Sequence, residues 1–412
     1  MRHGWWGVMI ACAAIGHMGC INDTKCGEFP LGDEERECVV STIDEMVQQS
    51  FPFAEYKGVD LNEFSNSIWA LLDEDLDDAD FLADVNYTIS TLKDGHTRME
   101  RRGLEEPAVA PVELTTRGDD DKAVIVSVED DERRDLLKET VVAIDGVDVH
   151  QALAAVEGWT EGGARGEVAL SGPELALAGE AGTTVELTLD SGRVVSLQRR
   201  EPHNMPEVRR YGDDIGYIQI ATFGFIDDLG RLDEAVNELM DTRGLIIDLR
   251  GNGGGYPSVT DGLFGRLIDH EVASFRLVDV NGNQSRTLDV APRGETYRGE
   301  VVVLTDRRTY SASNYLSHRI LYHERGVLIG ERTGGGAASP KRGELLLPGV
   351  WFQVSSHVVR TPDGEHSESG LDPTMPIDFE RSPQFEEATM HGLSSTGDRV
   401  MDRALRYLGG LP

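Results

Sequence analysis

From Val208 onward the chain alternates short apolar runs with longer amphipathic ones, and few folds accept such a sequence. The runs Ile215 to Ile220, Gly244 to Leu249 and Val301 to Thr305 predict strands. Asp228 to Met240, Ser258 to Ile268 and Ser311 to His323 carry apolar residues at helical spacing. Strand and helix in turn imply an α/β fold with a largely parallel sheet and right-handed crossovers. A sheet of that kind binds its ligand outside the carboxyl ends of its strands. The residues that follow each strand are therefore the first candidates for chemistry.

Two of these turns stand out. The strand ending at Asp248-Leu249-Arg250 runs into Gly251-Asn252-Gly253-Gly254-Gly255, where glycines let backbone approach a ligand and line up N–H groups as an anion nest. No Lys-Ser or Lys-Thr follows, so a phosphate loop of the Walker type is unsupported. The strand ending at Thr305 leads through Asp306 to Tyr310 into Ser311-Ala312-Ser313, a serine at the start of a helix. Serine is a preferred N-cap. The same position also suits a nucleophile, because unpaired N–H groups of the first helical turn can stabilise an oxyanion beside its hydroxyl.

Upstream, the period changes. Between Cys38 and Thr91 apolar residues recur at helical spacing, with Phe81, Leu82, Val85 and Ile89 on one face. That stretch ends at Lys93-Asp94-Gly95-His96-Thr97, a turn presenting a histidine. From about Pro107 to Arg200, short strands such as Ala123 to Val128, Val141 to Ile144 and Val185 to Leu189 are separated by Asp-Gly turns.

Taken in order, Asp94-Gly95-His96-Thr97, Asp248-Leu249-Arg250-Gly251-Asn252-Gly253-Gly254-Gly255, Ser311-Ala312-Ser313 and Gly330-Glu331-Arg332-Thr333 resemble the S41 serine peptidases, the tail-specific or C-terminal processing proteases. Tyr56-Lys57-Gly58-Val59-Asp60 is similar to the helical region of that family's tricorn-core-like branch. The resemblance implies a ClpP/crotonase-like α/β core (203–412), an N-terminal helical module (36–106) and an inserted PDZ-like β-rich domain (107–202). It puts the nucleophile on Ser311 and the oxyanion donors on the N–H groups of Ala312 and of Gly254 or Gly255. Where the processing proteases carry a lysine base, this chain has Gly336, and the tricorn-like branch's histidine falls on His96. Lys341 is a weaker alternative base. The branch's orienting glutamate falls by strict offset on Ser367, with Glu368 or Glu365 able to substitute; Glu368 is the candidate carried forward. No metal or organic cofactor is implied. The implied substrate is a peptide or protein docked by its C-terminus, and the competing reading is a ligand-binding protein without catalysis on the same fold.

The first twenty residues are unlike the rest. Arg2 and His3, the apolar stretch Trp5 to Ile15 and Gly19-Cys20 resemble a bacterial lipoprotein signal, in which Cys20 becomes the lipidated first residue. The resemblance implies export to the cell envelope on a lipid anchor, with residues 21–35 as a polar tether. Cys26 and Cys38 then remain as an even pair that could close a short disulfide in an oxidising compartment. Against 39 Lys and Arg stand 73 Asp and Glu, a formal net charge of -34. Such a surface repels a phosphate backbone, which excludes nucleic acid as a partner.

Overall fold

The computed structural model describes residues 24–101, 110, 112–117, 122–128, 131–136, 139–157, 176–200, 206–212, 214–224, 228–377 and 398–409. Cys12 and Cys20 lie outside them, as does the signal-like segment. Among the described residues no helix is long and apolar enough to cross a membrane.

Among the described residues four helices come first: α1 (Asp33–Ser50), α2 (Ala54–Lys57), α3 (Leu61–Ala70) and α4 (Asp78–Ser90). Asp60 and Asp77 cap α3 and α4, each carboxylate accepting from two backbone N–H groups of the first turn. After α4 the chain enters β1 (Arg98–Arg101). The middle region holds β2 (Val112–Arg117), β3 (Lys122–Val128), β4 (Thr140–Ile144), β5 (Val147–Asp148), α5 (Val149–Glu157), β6 (Thr184–Leu189) and β7 (Val194–Gln198). These six strands form an antiparallel sheet in the order β2-β3-β4-β6-β7, with β5 on β4. Exposed and buried residues alternate along β7, so one face closes on a core of Ile125, Val141, Leu187 and Leu197.

The third region follows the alternation expected of it. It comprises β8 (Glu207–Tyr211), β9 (Ile215–Gln219), α6 (Asp228–Glu238), β10 (Gly244–Asp248), α7 (Pro257–Gly265), β11 (Phe275–Asp279), β12 (Gln284–Leu288), β13 (Glu300–Thr305), α8 (Ala312–Tyr322) and β14 (Val327–Gly330). Then come β15 (Ala338–Leu347), β16 (Val350–Arg360), β17 (Met375–Pro376) and α9 (Arg399–Tyr407). The main sheet runs β17-β14-β13-β10-β9-β8, parallel except for β8. Every residue of β10 is buried, as a central parallel strand covered on both faces must be. Leu232, Leu263, Phe264 and Leu316 of the crossover helices close one face, and Val400, Met401 and Leu405 of α9 close the other.

A second sheet was not foreseen. The long β15–β16 hairpin pairs with β1 and β11, and β12 extends β11. Its inner residues Leu346, Phe352, Val354 and Val358 share one core with Val39, Ile43, Phe64, Phe81 and Val85. The helical module is thus not self-contained: it packs on a sheet whose β15–β16 hairpin comes from residues more than two hundred positions later. The supposed tether is anchored too, since the Lys25 and Cys26 N–H groups donate to Leu345 O and Leu346 O at 2.9 Å each. Cys26 and Cys38 are disulfide-bonded, and Asp33 to Glu35 already belong to α1.

Candidate active site

Parallel neighbours β10 and β13 end at the same level, which brings the two turns named from sequence side by side. Gly254 (φ +109°) lies so close to the serine that a Cβ there would fall 2.7 Å from Ser311 Cβ and 2.9 Å from Ala312 N. Only glycine fits. The turn is braced by Asn252, whose Nδ2 donates to Ile220 O at 2.8 Å while its Oδ1 accepts the Gly254 N–H at 2.9 Å. Asp306 ties the second turn to the first, its carboxylate accepting from the N–H groups of Gly251, Arg308 and Thr309.

Ser311 stands at the N-terminus of α8 but does not cap it. Its backbone takes φ 55° and ψ -119°, a conformation costing a non-glycine residue on the order of 1–3 kcal/mol, and its N–H donates to Gly335 O at 2.9 Å. The hydroxyl turns to His96: Oγ and Nε2 are 2.8 Å apart, across 215 positions of sequence. His96 is 6% exposed, on the turn between α4 and β1. Its carbonyl accepts from Gln353 Nε2 at 3.1 Å, so the β16 strand steadies the turn. On the ring's other nitrogen, Nδ1 is 3.4 Å from Tyr310 Oη, and the two rings stack with centroids 5.0 Å apart.

The oxyanion candidates separate. The Gly254 N–H already points at Asn252, whereas those of Gly255 and Ala312 have no acceptor among the described residues. Gly254 contributes close approach, and Gly255 is the better donor of the two. Gly255 (φ +139°) in turn allows contact with Phe223, whose carbonyl carbon would lie 2.2 Å from any Cβ.

The carboxylates depart from a direct relay. Glu368 is 3% exposed, and Oε1 pairs with Lys57 Nζ at 2.6 Å while Oε2 accepts the Ala337 N–H at 2.8 Å. It does not bond to the imidazole. Glu365 is exposed, and the Ser367 hydroxyl accepts from Asn314 Nδ2 at 2.8 Å. The carboxylate nearest His96 in the chain is one that sequence reasoning passed over. Asp94 Oδ1 pairs with Lys57 Nζ at 3.0 Å, and Oδ2 accepts from Thr97 Oγ1 at 2.5 Å and Ser355 Oγ at 2.7 Å. Burial pushes Glu368 up to about 7, with the Asp94 charge adding to the rise and Lys57 opposing it. Burial works on Asp94 in the same direction, but Lys57, His96 and the two hydroxyls outweigh it and hold Asp94 below its ordinary value. Lys57 feels burial downward and its two carboxylates upward, and the carboxylates win. The signal for Lys57 and Asp94 lay in the quoted motifs, but nothing in their spacing joins them.

The lysine position of the processing proteases is closed in this chain. Gly336 has φ +77°, and a Cβ there would lie 2.5 Å from the Tyr310 ring. Lys341 sits on β15 in register with Val354.

A strained serine paired with a histidine, at the mouth of a glycine turn on a parallel sheet, is an arrangement serine hydrolases use. Residues 214–377 match the model of Peptidase family S41. Carboxy-terminal processing protease CtpB of Bacillus subtilis is 26% identical over 176 residues, which are 42% of this chain and 35% of that protein. The chloroplastic C-terminal processing peptidase of Tetradesmus obliquus is 28% identical over 189 residues, 44% of this chain and 39% of the relative. The match thus spans well under half the length of these curated relatives. Among solved structures, the photosystem II D1 C-terminal processing protease superposes with a TM-score of 0.57 at 20% identity, over 83% of this chain and 93% of its own. That likeness is one of fold.

Proposed function

We propose that the chain is an exported serine endopeptidase working by acyl transfer. His96 Nε2 takes the proton of the Ser311 hydroxyl as Ser311 Oγ attacks a peptide carbonyl. The Gly255 and Ala312 N–H groups hold the oxyanion, and the imidazolium then gives its proton to the leaving amine. Water attacks the acyl-enzyme by the same route. Ser311 and His96 are the catalytic residues; Glu368 acts through Lys57 and Asp94 as a positioning residue.

The observation that carries this reading is the 2.8 Å contact between Ser311 Oγ and His96 Nε2, made by a serine whose strained backbone serves no cap. The N-terminal segment supports export, with Cys20 as the lipidated residue, and the Cys26–Cys38 disulfide suits an oxidising compartment. The antiparallel middle sheet is the PDZ-like element that would receive a substrate C-terminus. The test is cleavage of fluorescein-labelled casein by the wild type, Ser311→Ala and His96→Ala. Each variant is expected to lose on the order of 10⁴-fold or more in kcat, since members of one catalytic unit are not additive. A wild type without any cleavage would return the non-catalytic binding reading.

A further inference from the structure

The Lys57 ammonium is almost wholly enclosed, its side chain 4% exposed, and it has three acceptors for its three protons. They are Lys93 O at 2.7 Å, Asp94 Oδ1 at 3.0 Å and Glu368 Oε1 at 2.6 Å. The first two belong to the turn that carries His96. The third opens a path to the nucleophile. Glu368 accepts the Ala337 N–H through its carboxylate and the Gly336 N–H, at 3.1 Å, through its carbonyl. Those residues continue from Gly335, whose carbonyl receives the Ser311 N–H at 2.9 Å. The base and the nucleophile come from segments 215 positions apart, and the cation from α2 is bonded to both supports.

Resting on the peptidase reading above, we infer that Lys57 is a positioning residue for the reaction, pinning the His96 turn to the Gly335–Ala337 loop under Ser311. It also sets the electrostatics of the base. The buried Asp94 carboxylate favours the charged form of the imidazole, and the Lys57 ammonium, held between Asp94 and Glu368, cancels part of that field. Among the described residues, Asp94 on its own turn and Tyr310 before α8 act on His96 directly, Arg98 on β1 bonds the Gly95 carbonyl of that turn, and Lys57 on α2 and Glu368 on the 365–370 loop reach it through Asp94. Burial brings Glu368 up to about 7, within the range of enzyme assays, so its charge is part of this balance.

The experiment follows the rate of Ser311 modification by a fluorophosphonate, as kinact and KI, from pH 5 to 9 in the full chain. The probe needs no knowledge of the natural substrate. Lys57→Met should lower kinact by about 10²-fold with KI little changed, because a misplaced base costs rate rather than probe binding. Its acid limb should also move to higher pH, since the uncancelled carboxylates stabilise the imidazolium. Where Glu368 is ionised, above about pH 7, Glu368→Gln removes a negative charge and should move the limb the other way. Lys57→Arg, which keeps the charge, should recover part of the rate. A purely structural role would slow labelling in both variants without opposite shifts, and that result overturns the inference, as does wild-type kinact in Lys57→Met. Should Lys57→Met not fold, as judged by its melting transition, the direction of the Glu368→Gln shift decides alone. A wild type that is not labelled at all sinks the peptidase reading instead, so the two failures are distinct.

Discussion

At Glu368 the physical effects can be weighed one by one. A buried carboxylate 2.6 Å from an ammonium would ordinarily be held low, yet Asp94 shares the same ammonium, and burial brings Glu368 up to about 7. Its folded value therefore lies above the unfolded one near 4.5. The folded protein keeps a proton that the unfolded chain releases, so this group's stabilisation is present below about pH 4.5 and is lost as pH rises through about 7. Glutamine cannot titrate. The melting temperature of the wild type relative to Glu368→Gln should accordingly fall between pH 4.5 and 7.5, by an amount reflecting a few kcal/mol at most. A difference that stays constant over that range would show Glu368 to be ionised throughout. Asp94, held low, behaves oppositely, its stabilisation being lost only as pH falls through its depressed value. The residues of the site were unequally visible in the sequence. Ser311 and His96 sit in compact motifs, each on a turn after an element of clear period. Lys57 and Asp94 take their meaning from burial and from partners on other elements, which no spacing encodes.

Among elements, those with a regular period were legible and those without were not. The main-sheet strands and their crossover helices appear within a few residues of where apolar patterning puts them, because β9, β10 and β13 are buried on both faces. The β15–β16 hairpin escaped notice because Pro340, Lys341, Arg342 and Gly343 interrupt its alternation and its register shifts three times. The β12 strand is polar and mostly exposed, so it carries no apolar signature. The start of α1 illustrates the same point, since its acidic first turn read as tether. This helix supplies Val39, Ile43 and Val47 to the core, and the disulfide fastens its N-terminal turns to the segment at Lys25 and Cys26 that bonds to β15. Closing so short a loop stabilises by about 3 kcal/mol in the chain-entropy account. Chemical denaturation of Cys26→Ala/Cys38→Ala should show a loss of that order with the m-value unchanged. An unaltered midpoint would mean that packing of α1 on β16 alone fixes the N-terminus.

At the scale of the whole molecule, the candidate active site is assembled from two regions. The serine and the glycine turn stand on the parallel sheet, whereas the histidine stands on a turn held between helices α2 and α4 and the second sheet. Leu346, Phe352, Val354 and Val358 would lie bare without α1, α3 and α4, a contiguous apolar patch of the kind that promotes aggregation. A fragment beginning at residue 203 should therefore aggregate or stay unlabelled by a fluorophosphonate, and co-expression of residues 24–106 should restore solubility. A soluble, labelled fragment would show that the region from residue 203 onward supplies its own base. The central claim is that Ser311 is a nucleophile activated by His96, and its most direct measurement is a site-mapped adduct. Wild-type protein treated with a fluorophosphonate at pH 8 and digested should carry the mass addition on the peptide containing Ser311. That adduct should be lost in Ser311→Ala and should form at least about 10³-fold more slowly in His96→Ala. An adduct elsewhere, or one on Ser311 that forms as fast without His96, would contradict the claim.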